Sequence, residues 1–67
     1  MKQVNEMPKK GQFVAVWIVE DCYIFSDTLL WIDSRLFSYQ EGIADYSYKP
    51  EHVDFYEKNN AKYFIAD

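Results

Sequence analysis

Few side chains in this chain have the types and spacing to do chemistry. His52 is the only histidine. Work as a general base would need it beside a nucleophile or a carboxylate in a pocket. Glu51 and Asp54 are near it in sequence, but no Ser/His/Asp order with supporting glycine turns surrounds them. His52 therefore reads as a surface residue. Cys22 is the only cysteine and follows Glu20 and Asp21. Two adjacent negative charges disfavour a thiolate nucleophile, so Cys22 reads as a buried, small apolar side chain. Cys22 and His52 stand too far apart in sequence for a zinc motif. Asp27, Asp33, Asp45 and Asp54 lack the spacing of a calcium loop. The only glycines, Gly11 and Gly42, make no phosphate-cradling turn. We expect neither catalysis, nor a metal, nor a cofactor.

What remains is the chemistry of contact. From Glu41 to Glu57 acids alternate with aromatics: Glu41, Asp45, Tyr46, Tyr48, Glu51, Asp54, Phe55, Tyr56 and Glu57. Tyrosine is enriched at interface hot spots, and carboxylates around it can meet Arg or Lys on a partner. Glu41, Asp45, Tyr46, Tyr48, Asp54 and Tyr56 are the candidate partner-binding set. The other reading of the same stretch is the half-buried edge of an ordinary sheet. Trp17 and Trp31 have the chemistry to stack on bases, but stacking platforms come with basic grooves. They read as core anchors.

These residues need a scaffold, and the scaffold is built on Gly11 to Glu20. Phe13 to Val19 is wholly apolar and rich in β-branched and aromatic residues, which favour a strand over a helix. Without polar alternation the strand is central, with both faces covered by the chain itself or by a second protein. Residues 1–10 read as a loose leader and a turn, with Pro8 fixing φ and Gly11 free to take positive φ. Glu20-Asp21 is able to close a hairpin onto a second strand from Cys22, with a bulge or bend at Ser26-Asp27-Thr28. Leu29–Ile32, a turn at Asp33-Ser34 and Arg35–Tyr39 form a second hairpin. Gln40-Glu41-Gly42 is another turn, and Ile43–Tyr48 a short strand.

Pro50 to Lys58 reads as a short helix or a loop. Proline is tolerated in a first helical turn, and the early acids and late lysine suit a helix dipole. Val53 and Tyr56 would share a face. Asn59-Asn60 ends the segment, and Ala61–Ile65 is a final strand. The expectation is one mainly β domain over residues 11–67. It is a small antiparallel sheet of four or five strands, flat or curled, with at most one short helix near residues 50–58.

Size and charge narrow the function. A chain of 67 residues buries only about 60% of its unfolded surface, so its stability margin is thin. With one cysteine no internal disulfide forms, and six Tyr, five Phe and two Trp supply the buried area instead. A lone cysteine without a signal segment suits a reducing cytoplasm. No apolar stretch reaches the roughly 18 residues that a membrane span needs. Residues 1–10 carry a net charge of +2 and residues 11–67 a net charge of −6. That acidity disfavours direct nucleic-acid binding and suits a basic protein surface; solubility alone also accounts for it.

Met7-Pro8-x-x-Gly11-x-Phe13-Val14-x-Val16-Trp17, with Trp31 downstream and Ala61-Lys62-Tyr63-Phe64-Ile65 near the end, resembles small proteins of phages and prophages. Among such proteins it resembles the uncharacterised family called domain of unknown function 551. This chain departs from it in having Tyr-Phe where that family has His-Trp, and in lacking its proline-rich tail. The resemblance spans about half of the chain and implies a mobile-element origin and a β-rich fold, with no catalytic residues. Together these readings suggest a non-enzymatic interaction protein that covers a basic, nucleic-acid-binding surface of a host protein, such as a CRISPR effector or a restriction enzyme. Two alternatives stand beside it. One is a small-molecule or nucleotide-sequestering oligomer; the other is a homodimeric β module.

Overall fold

The computed structural model describes the backbone of residues 1–40, 43–48 and 50–66, and the side chains of 1–39 and 53–66. The elements are β1 (Lys2–Val4), β2 (Gly11–Val19), β3 (Tyr23–Ile32), β4 (Arg35–Gln40), β5 (Ile43–Tyr48), α1 (Pro50–Lys58) and β6 (Lys62–Ile65). The strands form one open antiparallel sheet in the order β1-β6-β2-β3-β4-β5. The fold is mainly β with a single short helix among the described residues.

The turns follow local backbone chemistry. Gly11 starts β2 at φ 74°, a left-handed value that costs glycine little. Glu20 and Asp21, at φ 55° and 58°, close the β2–β3 hairpin, and the Cys22 amide donates to the Val19 carbonyl at 3.3 Å. Asp33 and Ser34 form a true two-residue loop, since Ile32 pairs with Arg35, and both take positive φ. Such mirror-image turns match the right-handed twist of the strands they join.

Two expectations need correction. Residues 1–6 are not a loose leader throughout: Lys2–Val4 adds an edge strand on β6, with Val4 opposite Tyr63. The sheet therefore has six strands. Nor does β3 break at Ser26-Asp27-Thr28, because it pairs with β2 without interruption from Gly11–Trp31 to Val19–Tyr23. Strand β2 is central, and the described residues of the chain cover only one of its faces. Phe13, Ala15 and Trp17 are buried beneath α1 and the N-terminal loop, whereas Val14, Val16 and Ile18 face away and are half-buried or exposed. The turn expected at 40–42 lies outside the described residues.

Helix α1 lies against the Phe13–Trp17 side. Its i and i+3 positions Val53 and Tyr56 turn inward, and Tyr56 is buried. Trp17 meets Phe55 and Tyr56 edge-to-face at 5.6 and 5.4 Å and stacks on Phe25 at 6.0 Å. The helix ends in a Schellman motif: Ala61 N–H donates to Tyr56 C=O and Asn60 N–H to Glu57 C=O, with Asn60 at φ 54°. Asn60 fills the place glycine usually takes. Asn60→Ala is expected to cost about 1 kcal/mol in chemical denaturation, and Asn60→Gly to be neutral or mildly stabilising, because only the left-handed strain changes. Equal losses for both variants would show that the side chain of Asn60, and not its φ, holds the cap.

Candidate binding surfaces

Two surfaces stand out, one on each side of the sheet. On the helix side, residues 5–9 pass over the sheet beside α1, and the Trp31 indole N–H donates to the Pro8 carbonyl at 2.7 Å. A half-buried tryptophan N–H needs an acceptor, and this one pins the loop. Between loop and helix lies a cleft of about 820 Å³. Its wall is apolar at Met7, Trp31 and Val53 and charged at Glu6, Lys9 and Glu57.

Tyr63 also lines the cleft. Its ring packs edge-on against Phe13 at 6.1 Å, and its hydroxyl is buried without a hydrogen-bond partner. Burial, and then the charge of Glu57, push this phenol above the ordinary tyrosine range. It stays protonated at neutral pH and is no base there. No group of three or more His, Cys, Asp or Glu able to hold a metal exists among the described residues. What the cleft offers is carboxylates beside aromatic surface.

On the opposite side no described residue forms a layer over the sheet, and this is called its bare face. By register, β2 presents Val14, Val16 and Ile18, β3 presents Ile24, Leu30 and Ile32, β4 presents Phe37 and β6 presents Phe64. Ile18 is 57% exposed and Ile24 73%. Arg35 and Lys62 are the charged residues among the described side chains of this face.

The candidate partner-binding residues divide. Asp54 is exposed on α1. Tyr56 is not on a partner-facing surface: it is 2% exposed, and its hydroxyl donates to Asp27 Oδ2 at 2.8 Å. The helix phase that exposes Asp54 turns Tyr56 into the core. Asp45, Tyr46 and Tyr48 belong to β5, where Ser38 pairs with Tyr46 and Tyr39 with Ala44, so a bulge falls at Asp45. Their side chains, Glu41 and the side chain of His52 lie outside the described residues. Cys22 is exposed, not buried as expected, because it stands in the β2–β3 turn and not in a strand.

Sequence reasoning did not find the Trp31–Pro8 bond or the cleft it shapes. The available signal was Trp31 itself, a polar N–H on a strand with an unassigned loop upstream. No helix among the described residues is long and apolar enough to cross a membrane. Neither a family model, nor a curated protein, nor a solved structure matches the chain.

Proposed function

We propose that the protein is a non-enzymatic interaction module that binds a basic protein surface with the helix-bearing side of its sheet. The observation carrying this reading is the segregation of charge. Seven carboxylates have described side chains: Glu6, Glu20, Asp21, Asp27, Asp33, Asp54 and Glu57. None stands on the bare face; they occupy the helix side and the turns. Glu6 and Glu57 border the cleft beside Trp31, so an Arg or Lys side chain entering it meets both negative charge and aromatic surface. The partner class comes from the sequence resemblance to phage proteins: a host protein whose basic surface handles nucleic acid.

Affinity capture from a host lysate supplies the partner, and calorimetry at rising salt tests the mode. Glu57→Lys and Asp54→Lys are expected to weaken binding by about tenfold each, with a flatter salt dependence. Affinity indifferent to both reversals and to salt overturns the proposal. The cleft volume falls within the range of about 300–1,000 Å³ common for small-molecule sites, which favours sequestration as the second reading. A metabolite that raises the melting temperature, with no protein captured, would select it.

A further inference from the structure

We infer that the bare face of the sheet is the interface of a homodimer, formed by two sheets packed face to face. This goes beyond the basic-partner reading, which uses the other side of the molecule. The argument begins with layers. A sheet that is apolar on both faces needs cover on both. Helix α1 has nine residues, about 14 Å of length, and lies on the Phe13–Trp17 side only. The eight apolar residues from Val14 to Phe64 have no layer above them among the described residues.

Area favours a second sheet as the missing layer. Strands β6, β2, β3 and β4 project about 500 Å² at spacings of about 4.8 Å between strands and 3.4 Å along them. Standing side chains present more surface than their projection, which brings the face towards the roughly 800 Å² per partner of a stable interface. Charge selects among occupants. With Arg35 and Lys62 as its cations, the face is too weakly basic for a nucleic acid. An anionic membrane would be repelled by a chain of net charge −4. A basic protein is drawn to the carboxylates on the other side.

A second copy meets this face without opposing any described carboxylate, so two acidic bodies join away from the acidic side chains of the helix side and the turns. It is also present whenever the chain is made. That matters for a small domain, whose single core is thin and whose exposed apolar sheet otherwise aggregates. Aligned packing at about 30° between strand directions places β2 and β3 of each copy at the centre.

Sedimentation equilibrium on the purified chain, with no partner added, decides the matter. The wild type is expected to be a dimer at micromolar concentration. Val16→Asp, at the centre of the face, should raise the dissociation constant by at least about 100-fold by burying an unpaired charge. If Val16→Asp fails to fold, Ile18→Asp serves, since an exposed position on the same face tolerates the charge in a monomer. Asp54→Lys should leave the dimer intact while weakening partner binding, which separates the two proposals. A wild type that stays monomeric at these concentrations, or a folded Ile18→Asp that dimerises unchanged, overturns the inference.

Discussion

Trp17→Ala is expected to unfold a large share of the molecules at room temperature. Trp17 is the hub of the aromatic cluster: Phe25 stacks on it, and Phe55 and Tyr56 meet it edge-on. It joins strand β2, strand β3 and helix α1, so one truncation loosens all three. A buried tryptophan reduced to alanine costs about 3–5 kcal/mol through lost transfer energy and the cavity left behind. A 67-residue domain has roughly 3–10 kcal/mol in total at common values per residue. Each kcal/mol shifts the melting temperature of so small a domain by about 4–8 °C, so a fall of about 15 °C or more should appear in a thermal melt followed by circular dichroism. Trp17→Phe keeps the ring and should recover most of that loss. A melting temperature within a few degrees of wild type for Trp17→Ala would mean that α1 does not depend on this cluster.

How much of this was legible beforehand depended on whether a residue's role was local. The apolar run Phe13–Val19 marked the central strand, and Asp33-Ser34 marked its hairpin, because both signals are short-range. The edge strand Lys2–Val4 carries no periodicity of its own; only the free edge of β6 makes it a strand. Ser26-Asp27-Thr28 looked like an interruption because polar residues occupy both faces there. Ser26 and Thr28 lie on the bare face, and Asp27 is held by a tyrosine 29 positions away. Composition showed that β2 was apolar on both sides, but not which of its faces the described residues cover.

The acid–aromatic alternation was the weakest signal, since a tyrosine suits a core and an interface equally well. Only the phase of α1 separates them, and it puts Asp54 outside and Tyr56 inside. The cleft was illegible for a similar reason. It exists because Trp31 reaches Pro8, 23 residues upstream, and no local pattern announces a bond of that span.

Tyr56 is the position where ring and hydroxyl can be weighed separately, and its loss should rival that of Trp17. Its side chain is almost wholly buried, and the hydroxyl reaches across from α1 to the Asp27 carboxylate on β3. Tyr56→Phe keeps the ring against Trp17 and leaves Asp27 half-buried without that donor. Hydrogen bonds to charged groups contribute about 1.5–3 kcal/mol, so a loss in that range is expected from urea denaturation. Tyr56→Ala removes the ring as well and should lose about 3–5 kcal/mol, because a cavity then opens between helix and sheet. Asp27→Asn retains an acceptor at the same place and is expected to cost less than Tyr56→Phe. A double-mutant cycle isolates the bond: Tyr56→Phe in an Asp27→Leu background should cost much less than in the wild type, since the hydroxyl no longer has a carboxylate to serve. If the two costs are equal, the hydroxyl and the carboxylate act independently. The packing of the Tyr56 ring against Trp17, and not the polar tie, would then be what this residue contributes to fixing the helix on the sheet.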